Sequence, residues 1–201
     1  MKLNLNTLAL ATAMTFGAAS AQAADNFAGL TWGKTDNNIQ KSSSLNANLD
    51  NPRYDKVVNG TGTWGVRAGQ VAEDHRYYAT YEYVSDTDGA LKLRQQNLLG
   101  SYDMFLPLGE NGTKLFGGAT LGLVKLEQDG KGLKRDSDIG YAVGLQAGLL
   151  QNLNSNTSIE AGYRYLRTNA GTEVAPQGGG KIGSLDLHST SQLYLGANYK
   201  F

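Results

Sequence analysis

The chain has two histidines, and one of them stands among residues that could form a hydrolytic site. His188 lies beside Asp186, Ser189 and Thr190, and a serine hydroxyl activated by a histidine is the nucleophile of many acyl hydrolases. Adjacent strand residues point to opposite faces, so His188 and Ser189 should not reach each other. His188 would share a face with Asp186 and Thr190, and threonine is a poor nucleophile there. We therefore predict no catalytic residues and no enzyme.

Metal and phosphate chemistry find equally weak support. The acidic motif Asp86-x-Asp88-Gly89 lacks the full spacing of a calcium loop. The glycine run and lysine at 178–181 lack the strand, loop and helix that cradle a phosphate. The absence of cysteine excludes thiolate metal sites and disulfides. His75 is interpreted as a solvated turn residue. We expect no metal site and no cofactor.

Composition and the first residues indicate an exported protein. The 201 residues include 26 Gly but 3 Pro, and 18 basic residues balance 18 acidic ones, which argues against a nucleic-acid partner. Residues 1–23 begin with Lys2, continue through an apolar stretch and end in Ala21-Gln22-Ala23, the pattern of a cleavable signal peptide. The predicted domains are a signal peptide at 1–23 and one folded domain at 24–201.

The remaining chain alternates apolar and other residues at period two, which is typical of β-strands. Eight such segments are predicted, at about 26–34, 61–71, 76–84, 93–104, 114–126, 139–150, 157–167 and 187–201. In the sixth, Ile139, Tyr141, Val143 and Leu145 form one face, whereas the other is mainly glycine. A soluble sheet would fill its second face with charged and hydroxyl side chains. The pattern therefore indicates a narrow barrel with its apolar face outward.

The connections and the aromatic residues favour a membrane location. Links after the even segments are short, as in the periplasmic turns of bacterial outer-membrane barrels, and three of the others are long. Aromatic belts mark both membrane interfaces in such barrels. The predicted outer belt comprises Trp32, Trp64, Tyr83, Tyr141 and Tyr165. The predicted inner belt comprises Tyr77, Tyr102, Phe105, Tyr199 and Phe201, together with Phe116, which has inward parity. A soluble barrel or sandwich is the alternative.

The opposite strand faces should fill the lumen with polar side chains. The predicted network contains Arg67, Glu82, Asp103, Gln146, Glu160, Arg164 and Gln192, and other predicted interior residues are Tyr78, Asn97, Thr120, Tyr194 and Asn198. Charges in such a tube must pair, because an unpaired buried charge costs several kcal/mol. We expect Arg67 to pair with Glu82, and Arg164 to pair with Glu160 or with an acid across the lumen. A polar plug is the first interpretation, and a narrow or gated ion path is the alternative.

Three segments carry a family resemblance. They are Ile159-Glu160-Ala161-Gly162-Tyr163-Arg164-Tyr165, Leu115-Phe116-Gly117-Gly118-Ala119 and the C-terminal Tyr194-Leu195-Gly196-Ala197-Asn198-Tyr199-Lys200-Phe201. With these, residues 24–201 resemble the small eight-stranded outer-membrane barrels typified by the transmembrane domain of outer-membrane protein A. The resemblance implies an all-β, antiparallel, up-and-down transmembrane barrel in the bacterial outer membrane. It also implies that Phe201 is the signal read by the outer-membrane assembly machinery.

The predicted role is structural or surface-interacting, with four extracellular loops presented by the barrel. The alternative is a small or gated porin, and a minor alternative is a barrel-embedded enzyme that modifies lipid A. The expected partners are outer-membrane lipids, lipopolysaccharide and the assembly machinery, with a host or surface ligand at the loops. Cations near the outer strand ends, among them Lys34, Arg94 and Arg167, could meet lipopolysaccharide phosphates. The barrel is expected to be a monomer.

Overall fold

The computed structural model describes residues 24–41, 60–88, 91–130, 136–174 and 183–201. The predicted signal peptide lies outside these ranges. The strands within them are β1 (Asp25–Lys41), β2 (Thr61–Val71), β3 (His75–Asp88), β4 (Leu91–Pro107), β5 (Thr113–Gly130), β6 (Asp136–Asn152), β7 (Thr157–Thr168), β8 (Gly171–Val174) and β9 (Gly183–Lys200). Within the described ranges, no helix has the length and apolar character needed to span a membrane.

The strands form one closed antiparallel barrel. Each strand from β1 to β6 pairs with the next, β7 pairs with β9, and β9 pairs with β1 to close the ring. The short strand β8 pairs with the outer part of β9. It follows β7 after a break at Asn169 and Ala170, and so continues the wall where β7 ends. The predicted eight-stranded all-β barrel is confirmed.

Burial alternates along each strand because successive side chains point to opposite faces of the wall. In β7, the even-numbered residues from Ser158 to Thr168 are buried and the odd-numbered residues from Ile159 are exposed. Large apolar side chains face outward, as Leu121 and Leu145 do with exposed fractions of 70% and 69%. Exposed leucines around a whole barrel indicate contact with lipid rather than with water.

Glycines in the wall make room for aromatic side chains inside the barrel. Gly148 on β6 pairs with Gly162 on β7, and the ring of Phe116 lies against both. A Cβ atom at Gly148 would lie 2.6 Å from the Phe116 ring, closer than side chains pack. The glycine-rich inner face therefore accommodates a large buried ring in a narrow tube.

A β-bulge at His188 changes which side chains share a face. Asn38 pairs with Ser189 and Ile39 pairs with Leu187, so His188 is an extra residue in β9. Leu187 and Thr190 are buried, whereas Asp186 and His188 are exposed and Ser189 is half-buried. The prediction that His188 and Ser189 point to opposite faces, with Thr190 beside His188, is therefore wrong. The extra residue shifts the alternation of inward and outward side chains in β9 by one position.

Candidate functional site

Six ionisable side chains fill the middle of the lumen, and their formal charges balance. They are Arg67, Arg76, Arg164, Glu82, Asp103 and Glu160, each exposed by 4% or less. Sequence reasoning identified five of them and missed Arg76. The sequence pattern does predict an inward side chain for Arg76, because Arg76 has the same strand parity as Tyr78 and Glu82. With Arg76 included, three cations face three anions, and this layer carries no net formal charge.

Glu160 is the centre of one group of ion pairs. Arg67 donates from Nη1 to Glu160 Oε1 at 2.8 Å, and Arg76 donates from Nη1 to Glu160 Oε2 at 2.5 Å. Arg67 also donates from Nε and Nη2 to Asn198 Oδ1, at 2.9 and 2.6 Å. The expected Arg67–Glu82 pair is therefore replaced by a pair that spans the lumen from β2 to β7.

Arg164 forms the second cross-lumen pair. Its Nη1 donates to Glu82 Oε1 at 2.6 Å, which joins β7 to β3 on the opposite side of the barrel. This contact agrees with the expectation of an acid across the lumen. Asn97 donates from Nδ2 to Glu82 Oε2 at 3.1 Å, so both carboxylate oxygens have partners.

Asp103 and Gln146 link the two ion-pair groups. Arg76 Nε and the Tyr78 hydroxyl donate to Asp103 Oδ2 at 2.8 and 3.0 Å. Gln146 donates from Nε2 to Asp103 Oδ1 at 2.5 Å, and its Oε1 accepts from Arg164 Nε at 2.8 Å. The network is thus one connected layer across the barrel, and such a layer stabilises a single arrangement of side chains.

Gln192 lies in the lumen beside this layer but adds less to it. It pairs in register with Arg164 and is buried, yet its Oε1 has no hydrogen-bond partner among the described residues. The buried hydroxyls of Thr80 and Tyr194 also have no hydrogen-bond partner among the described residues. All the predicted network residues therefore lie in the lumen, and Gln192 makes the fewest side-chain hydrogen bonds among them.

Two apolar clusters lie on either side of the charged layer. The outer cluster, toward the long connections, comprises Val84, Leu99, Val124, Leu126, Ala142, Leu166, Ala170 and Leu187. The inner cluster, toward the short turns, comprises Phe105, Phe116, Leu150 and Tyr194. Phe105 was expected in the lipid-facing belt, and that expectation is wrong. It shares its parity with Asp103 and points into the lumen, where the glycines leave space.

The remaining aromatic residues predicted for the belts lie on or near the lipid-facing side of the barrel wall. Trp32 pairs with Trp64, and Trp64 pairs with Tyr83 at a ring-centroid distance of 6.0 Å. Of the residues predicted for the belts, those with exposed side chains are Trp32, Trp64, Tyr102, Tyr141, Tyr165, Tyr199 and Phe201. Tyr77 and Tyr83 are half-buried, and the Tyr77 hydroxyl donates to Gln70. Rings of this kind at both ends of an apolar band are suited to the headgroup regions of a membrane.

Neither histidine lies in the lumen network. The His75 ring stacks on Tyr102 at 5.7 Å, and its Nδ1 lies 2.6 Å from Asp74 Oδ1. That hydrogen bond lowers the pKa of the Asp74 carboxyl below its ordinary value. The bulge brings His188 and Ser189 to the outward side, where the Ser189 hydroxyl bonds with that of Tyr165. The Ser189 hydroxyl is therefore already hydrogen-bonded to Tyr165.

A closed antiparallel barrel with an apolar, aromatic-belted exterior and a polar lumen defines a transmembrane β-barrel of the bacterial outer membrane. The solution structure of outer membrane protein H (OprH) from P. aeruginosa in DHPC micelles is 75% identical to this chain, with a TM-score of 0.57. The alignment covers 88% of this chain and 99% of that one. The chain therefore belongs to the family of small eight-stranded outer-membrane barrels that includes OprH.

More distant structures share the fold alone. The crystal structure of Neisserial surface protein A is 16% identical, with a TM-score of 0.65, and covers 90% of this chain and 100% of its own. The solid-state NMR structure of AlkL in DMPC bilayers is 13% identical, with a TM-score of 0.53, and covers 100% and 97%. No protein-family model and no curated protein matches the chain.

Proposed function

We propose that this barrel has a structural, non-catalytic role in the outer leaflet, where it contacts lipopolysaccharide and presents its long connections to the outside. The observation that carries the proposal is the position of exposed cations just beyond the outer aromatic belt. Lys34 follows Trp32 on β1, and Arg167 follows Tyr165 on β7, with both cations exposed on the outward side. The phosphates of lipopolysaccharide lie at this depth of an outer membrane, and a cation at a phosphate forms a strong charge-assisted bond.

The surroundings of Arg167 support a defined geometry. Tyr165 hydrogen bonds with both Arg167 and Ser189 on the outside of the wall. Ser189 is also the register partner of Arg167 on β9. A guanidinium positioned by a neighbouring tyrosine loses less conformational freedom when it binds a phosphate than a free side chain would.

The test is capture of the folded barrel, in zwitterionic micelles, on immobilised lipopolysaccharide. Lys34→Gln with Arg167→Gln should reduce capture severalfold and weaken its dependence on salt, because two phosphate contacts are removed. The matched control, Lys34→Arg with Arg167→Lys, keeps both charges and should retain most of the capture. Equal capture of wild type and the neutral double variant, or equal capture on dephosphorylated lipopolysaccharide, would contradict the proposal.

The porin alternative has less support from the lumen. The charged layer is continuous across the barrel, and an apolar cluster lies on each side of it. The interior of an eight-stranded barrel is just wide enough to be filled by side chains. The role of Phe201 as an assembly signal, a ligand at the loops and the monomeric state stay predictions.

A further inference from the structure

A cavity of about 300 Å³ opens at the short-turn end of the barrel. This end faces the periplasm in outer-membrane barrels. Its apolar wall is formed by Phe27, Val71, Phe105 and Leu150. We call this cavity the vestibule. Its volume is at the low end of the range for small-molecule sites, which is about 300–1,000 Å³.

The charges of the vestibule are ordered by depth. The acids Asp25 and Glu73 are exposed at the rim, Lys114 and Lys200 are half-buried, and Arg76 is fully buried at the floor. Lys200 Nζ lies 3.6 Å from Asp25 Oδ2, so the charges of these two residues offset each other. The charged side chains that line the inner part of the vestibule are therefore Lys114 and Arg76, and Arg76 is already paired with Asp103 and Glu160 behind it.

Lys114 is held in place with donor capacity left over. Its Nζ donates to the backbone oxygen of Glu73 at 2.7 Å and lies 5.1 Å from the centroid of the Phe105 ring. An ammonium group has three N–H donors, and this arrangement uses one of them for a conventional hydrogen bond. The cation–π contact fixes the direction of the others without neutralising the charge.

Arg76 gives the floor a second set of donors. It donates once to Asp103 and twice to Glu160, so three of the five N–H donors of a guanidinium are used. Its guanidinium also lies over the rings of Phe105 and Phe116, at 5.4 and 4.8 Å. A ligand that reaches the floor meets a cation framed by flat apolar surfaces.

We propose that the vestibule binds a small organic carboxylate with a flat apolar body. The carboxylate accepts from Lys114 and points toward the floor at Arg76, and the body lies against Phe27 and Leu150. Lys114 is the argument for an anion, because its ammonium lies further in than the rim acids and uses one of its three donors, whereas Arg76 below it is already paired with Asp103 and Glu160. The site is at the opposite end from the outer cations, so the proposal stands apart from lipopolysaccharide contact.

The test uses the folded, ¹⁵N-labelled barrel in phosphatidylcholine nanodiscs and follows amide shifts by NMR during titration with benzoate. Saturable shifts are expected at residues 72–76, 105, 114 and 150–152. Lys114→Met keeps the apolar stem and removes the charge, and it should weaken binding by about tenfold because a charge-assisted bond is lost. Lys125→Met, a lysine near the opposite end of the same strand, is the matched control and should bind as wild type does.

Benzyl alcohol, a neutral analogue of the same shape, should bind at least about tenfold more weakly than benzoate if the carboxylate is recognised. Equal binding of the two compounds would overturn the proposal. So would shifts restricted to outward residues such as Leu145 and Leu195, because they report partition into lipid. Lys114→Arg should restore binding, and unchanged affinity in Lys114→Met would likewise refute the site. Heat-modifiable migration on gels verifies that each variant is folded.

Discussion

The hydroxyl of Tyr194 is buried in the inner apolar cluster without a hydrogen-bond partner among the described residues. A buried, unsatisfied polar group costs about 1–3 kcal/mol. Tyr194→Phe removes the hydroxyl and keeps the ring against Phe116. We therefore expect this substitution to raise the free energy of unfolding by about 1 kcal/mol. The measurement is equilibrium unfolding in urea, in lipid vesicles, followed by tryptophan fluorescence.

Tyr78→Phe is the matched control for that experiment. The Tyr78 hydroxyl donates to Asp103 at 3.0 Å and accepts from Gln146 Nε2 at 2.6 Å. Its removal leaves a carboxylate with one donor fewer, so stability should fall by about 1–3 kcal/mol. If Tyr194→Phe is as damaging as Tyr78→Phe, the Tyr194 hydroxyl has a partner such as a bound water.

The Arg164–Glu82 pair permits a second test at the residue scale. Arg164→Met leaves Glu82 buried without its cation, and breaking a buried pair in this way costs about 3–5 kcal/mol. Arg164→Met combined with Glu82→Gln removes both charges and should recover a large part of that loss. A double-mutant cycle of unfolding free energies measures the coupling. Additive losses would mean that the two charges are stabilised separately.

At the scale of the element, each strand must present its apolar face to lipid. Leu145 on β6 is 69% exposed and lies next to the outward residues Ala119 and Tyr165 on the neighbouring strands. Arginine at the middle of a membrane strand costs about 2–4 kcal/mol, so Leu145→Arg should lower stability by that amount. Leu153→Arg, in a short turn and also exposed, should change it little. Equal unfolding free energies for the two variants would disprove the assigned lipid face.

Strand periodicity was sufficient to predict the barrel, its outer face and most of its lumen residues, because alternation depends only on neighbouring positions. The lumen pairs were harder to predict. Arg164 reaches Glu82 across four strands, so the partner depends on barrel closure and side-chain length rather than on strand adjacency. The bulge at His188 was missed because the shift in alternation falls within the polar residues 188–192, where no apolar side chain marks which face is which. Phe105 was wrongly predicted to face lipid because aromatic residues at strand ends often form the belts. Its parity, which is that of Asp103, instead directs its side chain into the lumen.

At the scale of the whole molecule, the barrel is a membrane wall around a balanced interior. Its charged layer carries three cations and three anions, joined by hydrogen bonds from β2 to β7 and from β3 to β7. An ion entering this layer would have to break a buried pair, which costs several kcal/mol. The apolar clusters above and below offer no ligands to replace the ion's hydration shell.

This arrangement predicts that the refolded wild-type barrel carries no steady ion current in a planar lipid bilayer. Replacing Glu82 and Arg164 together with glycine opens the charged layer, yet it should still give no current, because the two apolar clusters remain. Replacing Leu126 and Leu187 of the outer cluster and Phe116 of the inner cluster with serine, in that same background, should be required before current appears. These side chains are all 1% exposed, so they fill the tube at their levels. Current steps from wild type would contradict a closed lumen, and current from the glycine variant alone would show that the ion pairs are the only barrier.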